Sequence, residues 1–199
     1  MTSAEPMTSA ALRRALTDPG PRPLPGSAVR LLEELDAPPR LAAHLRAVHD
    51  VAAELVAWAG EHHPSAAVDA EAVLFGAATH DIGKARHPSE LSGPGADHEE
   101  AGYELLRERG VEERLARFAR THASWDDPGT GLDDLLVSLA DKVWKAKRVT
   151  GLEQRVVDAL AAASGQEPWE VFMALDDVCD RLAAGADRRL AFQSAYPIT

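Results

Sequence analysis

His80 and Asp81 stand side by side in Ala77-Ala78-Thr79-His80-Asp81-Ile82-Gly83-Lys84, at the end of an apolar segment. An imidazole and a carboxylate at adjacent positions can both reach one metal ion. His44 upstream and His98, His122 and Asp141 downstream enlarge the pair to six candidate ligands, each in a segment that reads as helix. A metal site built on helices needs such groups to project from several helices toward one point, with apolar packing behind them. Nitrogen and oxygen donors without a thiolate suit iron, manganese or another borderline to hard divalent ion better than a structural zinc.

The elements that must carry these residues are helical almost throughout. Prolines, among them Pro6, Pro21, Pro23 and Pro25, and several small residues make residues 1–26 a flexible N-terminal arm with at most a short helix around Leu12 to Leu16. Val29, Leu31, Leu32 and Leu35 form a short amphipathic helix that breaks at Pro38-Pro39. Proline is tolerated in a first turn, so the next helix starts there and runs to about Gly60. On it Leu41, Leu45, Val48, Val51, Ala52, Leu55 and Ala59 share one face, and His44 lies on that face. His49 lies about 140° further round, which makes it a group behind the ligands or on the substrate side.

Asp69 is placed to cap a third helix that delivers His80 and Asp81 at its end, where Gly83 stops it. Residues 86–96, with Pro88, Gly93, Pro94 and Gly95, read as a loop bordering the site. Further helices are expected over 97–109, 111–122, 132–149, 152–163 and 169–184. No run alternates with period 2, so the fold class is all-α, a compact helical bundle. It divides into the arm, a metal-binding domain over 27–150, and C-terminal helices over 151–199 packed on the same domain. His62, His63 and His87 read as surface residues, Lys142, Lys145 and Lys147 as a solvated basic face, and Trp125, Trp144 and Trp169 as core or pocket wall.

A chain of 199 residues can bury one substantial core but not comfortably two. The net charge of -11 argues against duplex nucleic acid as a partner, because that mode needs a basic footprint. A small anionic substrate stays open, since a bound cation can invert the local field of an acidic protein. The single Cys179 permits no intrachain disulfide and fits a reducing compartment. With no apolar run long enough to span a bilayer, and acidic Glu5 where a signal peptide has basic residues, a cytoplasmic protein without membrane contact is expected. The last segments, ending in Phe192 and Tyr196, have few core positions left to fill, which is compatible with a homodimer.

The order His44, His80-Asp81, Asp141 resembles the HD-domain superfamily of metal-dependent phosphohydrolases, and the local words agree. Pro39 to His44 followed by Val48 and Ala52 looks like that family's first helix, His80-Asp81-Ile82-Gly83-Lys84 like its signature, and Leu139-Ala140-Asp141-Lys142 like its closing ligand. The resemblance covers roughly residues 28–150. His98 and His122 are similar to the extra pair of dinuclear members. In such members Asp81 would bridge two ions, with His44, His80 and Asp141 on one and His98 and His122 on the other. The implied cofactor is a pair of divalent ions, iron or manganese first, with cobalt, nickel, magnesium or zinc as other candidates. The implied activity is hydrolysis of a small phosphorylated metabolite, a nucleotide above all, by a metal-activated water. Lys84 would bind phosphate at the rim. Arg148, seven residues after Asp141 and therefore on about the same helix face, would bind a second phosphate. Some members with this ligand set are mixed-valence di-iron oxygenases, and a non-catalytic ligand-sensing or partner-binding domain is a third reading.

Overall fold

The computed structural model describes residues 9–198. Among them there is no strand, and the chain runs as α1 (Ala10–Thr17), α2 (Gly26–Glu34), α3 (Pro39–His62), α4 (Ala70–Thr79), α5 (Asp97–Glu108), α6 (Glu113–Ala116), α7 (Phe118–Thr121), α8 (Leu132–Val143), α9 (Thr150–Ser164), α10 (Pro168–Ala183) and α11 (Ala186–Ser194). Among the described residues no helix is long and apolar enough to cross a membrane.

Central α3 is buried along most of its length and divides the apolar interior into two clusters. Pro39 opens it at a position that needs no N–H partner. One cluster joins Val48, Val51 and Leu55 of α3 to Leu136 and Leu139 of α8, Val156 and Leu160 of α9, and Leu175 and Val178 of α10. The other joins Leu41 and Leu45 to Leu32 of α2, Phe75 of α4, Ile82, and Leu105 and Leu106 of α5. The helices that carry the candidate ligands, α3, α4, α5 and α8, all contribute to these clusters, so packing holds the backbone beneath the site.

Several expectations change. Residues 1–8 of the proposed arm lie outside the described residues, but Leu12, Ala15, Leu16 and Leu24 are buried in the second cluster. Arg46 fastens this segment, donating to the carbonyls of Ala15 at 2.8 Å, Asp18 at 3.1 Å and Pro21 at 2.5 Å. Beyond α10 the chain adds α11 and returns to the start of the fold. There Tyr196 donates to Asp18 at 2.9 Å and the Arg40 N–H donates to the Pro197 carbonyl at 2.9 Å. Tyr196 is buried and Phe192 lies under the Arg46 guanidinium, so both are used within the chain. Among the described residues the exposed large apolar side chains are instead Trp169, Phe172 and Met173 on α10 and Leu190 on α11. Trp169 is therefore not core, while Trp144 is buried and Trp125 packs at the edge of the first cluster. His63 is buried against the Trp58 ring, 5.0 Å between centroids, contrary to a surface position. His62 is exposed and His87 half-buried.

Candidate metal centre

Asp69 caps α4 by accepting from the Ala72 N–H at 3.0 Å, and the helix ends at Thr79 with His80 as its C-cap. The chain then passes through Asp81 into a tight turn over Ile82–Ala85. Gly83 does not act as the helix stop. Its Cα faces the first turn of α5 so closely that a Cβ there would lie 1.9 Å from the His98 carbonyl oxygen and 2.6 Å from the Gly102 nitrogen. Only glycine permits that approach, and it brings His98 to Asp81. Gly76 plays a similar part on α4, where a Cβ would lie 2.6 Å from Phe118, so the segment carrying His122 packs directly on the helix that ends at His80.

The six predicted side chains converge. His44 from α3, His80 and Asp141 from α8 place ligand atoms within 4.8 Å of one another, and Asp81, His98 and His122 do the same. The two oxygens of Asp81 face different groups. Oδ1 lies 3.0 Å from His98 Nε2 and 3.5 Å from His122 Nε2. Oδ2 lies 3.1 Å from His44 Nε2 and 3.7 Å from His80 Nε2. Asp141 Oδ1 completes the first group at 3.4 Å from His80 Nε2 and 3.9 Å from His44 Nε2.

The outer ring nitrogens decide which atoms face inward with a lone pair. His80 Nδ1 is 3.0 Å from the Ala77 carbonyl and His122 Nδ1 is 3.0 Å from the Ala119 carbonyl. A carbonyl can only accept, so each Nδ1 carries a hydrogen, and in the neutral ring Nε2 is left as a lone-pair acceptor. His98 Nδ1 donates in the same way to Glu90 at 2.5 Å. The Nε2 atoms of His44, His80 and His98 are buried and make no hydrogen bond. Bare acceptors facing carboxylate oxygens in a buried space repel unless a cation lies among them, so the donor set fits metal ions.

The charges agree. Burial opposes ionisation of Asp81, but His80, His44 and His98 outweigh it and hold the carboxyl well below the usual carboxylate range. Asp141 is likewise held below that range, by His80 and Lys142 against its burial. Burial, then the neighbouring His80, pushes His122 down to about 4, which leaves it neutral and able to ligate at neutral pH. Burial also disfavours charge on His98, yet Asp81 and Glu90 prevail and raise its pKa.

The HD-domain family model matches residues 41–160, more than half of the chain. This protein belongs to the HD-domain family. No curated protein and no solved structure matches it.

Around the candidate ligands of this HD domain the structure adds residues that spacing did not reveal. Glu90, in the loop before α5, accepts from His98 Nδ1 and from the N–H groups of Asp97 and His98 at 3.2 and 3.3 Å, and so fixes the ring and the start of the helix together. Its sequence context, an acidic residue between prolines and glycines, carries no signal of this. Lys142 bonds Asp141 Oδ2 at 2.6 Å and is not part of a solvated face. Lys84 does reach the site, 2.6 Å from Asp81 Oδ2. Trp144 walls it, its ring edge-on to His44 with centroids 4.9 Å apart.

Two assignments change. Arg148 faces away from the HD centre, because α8 ends at Val143 and Ala146 turns the chain at φ 59°, which destroys the helical phase that placed it. It instead bonds Glu153 at 2.8 and 2.9 Å, Asp176 at 2.6 Å and Asp180 at 2.5 Å, tying the end of α8 to α9 and α10. His49 is buried on the other side of α3, where burial and then Arg22 push its pKa down to about 4. Its electrostatic neighbours are Arg22, Asp50 and Arg46, not the six candidate ligands.

Proposed function

We propose that this HD-domain protein is a metal-dependent phosphohydrolase acting on a small phosphorylated metabolite, with nucleotides the first substrate class to test. The observation that carries the reading is the division of Asp81, whose Oδ1 faces His98 and His122 while Oδ2 faces His44 and His80. One carboxylate placed between two ligand groups is what a shared ligand of two cations requires. Two divalent ions held there would supply an acidified water and neutralise charge developing on a phosphoryl group.

The chain's own residues do the rest. His80 and His122 are locked in one tautomer by backbone carbonyls, so their lone pairs need no reorientation. Lys84 offers a mobile ammonium at the carboxylate that both groups share, where it can bind a phosphoryl oxygen once drawn off Asp81. Trp144, buried with its ring edge-on to His44, backs that ligand with apolar surface.

The test is phosphate release from a nucleotide panel by protein loaded with manganese, iron, cobalt or magnesium, with bound metal measured in each sample. Release above the metal-only blank supports the reading. Inactivity across the panel with the metals bound counts against it, and oxygen uptake by anaerobically purified iron-loaded protein moves the assignment to oxygenase chemistry.

A further inference from the structure

Lys142 follows Asp141 on α8, and consecutive helical positions diverge by about 100°. The default course of its stem therefore leads away from the ligand face. Its Nζ nevertheless turns back to lie 2.6 Å from Asp141 Oδ2, with the two side chains only 19% and 13% exposed. The oxygens of Asp141 thus have different neighbours: Oδ1 faces His80 and His44, and Oδ2 is held by the ammonium.

Lys84 makes the informative contrast. It lies on Asp81 Oδ2, the oxygen that also faces His44 and His80, so a cation entering the first group must share that oxygen with Lys84 or displace it. The same cation would meet Asp141 at Oδ1, on the side away from Lys142.

We propose that Lys142 is a positioning residue, holding Oδ2 of Asp141 so that the carboxylate offers Oδ1 alone to a cation among His44, His80 and Asp141. The inference rests on the reading of these six residues as a metal centre. A carboxylate with both oxygens free can ligate with one or both. A charge-assisted bond to the second oxygen removes that choice and keeps one more position at the cation for solvent or substrate.

Cobalt(II) loading reads this out, because its visible absorption intensity falls as coordination number rises. Wild type, Lys142→Met and Lys142→Arg are loaded and compared for cobalt content, visible spectrum and affinity, with circular dichroism as a check on folding. Lys142→Met is expected to bind as many ions as wild type with absorptivity lower by roughly twofold as Asp141 turns to ligate through both oxygens, and Lys142→Arg to keep the wild-type spectrum. Should Lys142→Met fail to fold, Lys142→Gln, whose amide holds the oxygen without charge, is expected to fall between wild type and the predicted loss. A wild-type spectrum in Lys142→Met overturns the inference, as does tighter cobalt binding with an unchanged spectrum, the signature of simple charge repulsion. A wild-type protein that binds no cobalt overturns the metal-centre reading itself, and this inference with it.

Discussion

Gly83→Ala is the sharpest perturbation of the site that leaves every ligand in place. The new Cβ would lie 1.9 Å from the His98 carbonyl oxygen, 2.6 Å from the Gly102 nitrogen and 2.8 Å from the His98 carbonyl carbon. All three are backbone atoms, so no rotamer change relieves the clash. Restoring a separation of about 3.4 Å requires the turn and α5 to part by roughly 1.5 Å. His98 rides on α5, and its Nε2 now lies 3.0 Å from Asp81 Oδ1, so that contact opens to more than about 4 Å, well beyond the tolerance of about 0.2 Å in metal–ligand distances. His44 and Asp141 stand on α3 and α8 and do not depend on this approach. Calorimetric titration with manganese, paired with metal content by mass spectrometry, is expected to show the His98–His122 group weakened by about 10- to 100-fold and the His44–His80–Asp141 group retained. Thermal or urea unfolding of the metal-free protein should show a loss of about 1–3 kcal/mol from overpacking. A Gly83→Ala protein that holds two ions with wild-type affinity would show that the close approach does not position His98.

Asp81→Ala should lose both ions while His122→Ala weakens one, read as metal equivalents per chain; two ions retained by the Asp81 variant would remove its bridging role. His49 makes stability pH-dependent in the metal-free protein. Its folded pKa of about 4 lies below the ordinary 6.5, so the unfolded chain binds the extra proton between those values; the stabilisation is complete above about 6.5 and is lost as pH falls toward 4. About 2.5 units correspond to roughly 3 kcal/mol, so urea unfolding of His49→Gln from pH 7 to 4 should show a shallower decline than wild type, and an identical slope would refute the assignment. Arg148→Ala leaves the nearly buried Glu153 carboxylate without its guanidinium. It should cost about 3 kcal/mol or more of unfolding free energy with metal content unchanged, and a lost metal would return Arg148 to the site.

The convergence of the six candidate residues was legible because its information is chemical and local. His80-Asp81 is an adjacency, His44 lies on an apolar stripe whose phase survives over a long regular helix, and Asp69 announces the helix that carries the pair. The errors fall where periodicity was extended past a break that composition did not mark. Arg148 was placed by counting turns through Ala146, an alanine in the left-handed region, where a glycine would have warned of the end. The segment around Leu12, Leu16 and Leu24 looked mobile because its apolar residues are few and divided by prolines; they are ordered by a distant arginine, Arg46, that takes up three carbonyls of that segment.

What holds the ligands in position is a different kind of information from what they are. Glu90, Gly83, Gly76 and Lys142 act through contacts between elements, and their local contexts read respectively as loop, helix stop, helix interior and solvated face. Gly83 shows why: the residue is glycine because of a carbonyl fifteen positions away in sequence, and the turn that contains it would accept alanine were α5 absent. The same holds for Lys142, whose helical phase points it outward and whose long stem overrides the phase to reach an oxygen one residue back. Ligand type can thus be read along the chain. The contacts that hold the rings of His80, His98 and His122 and one oxygen of Asp141 are written across it, in the packing of α3, α4, α5 and α8 against one another.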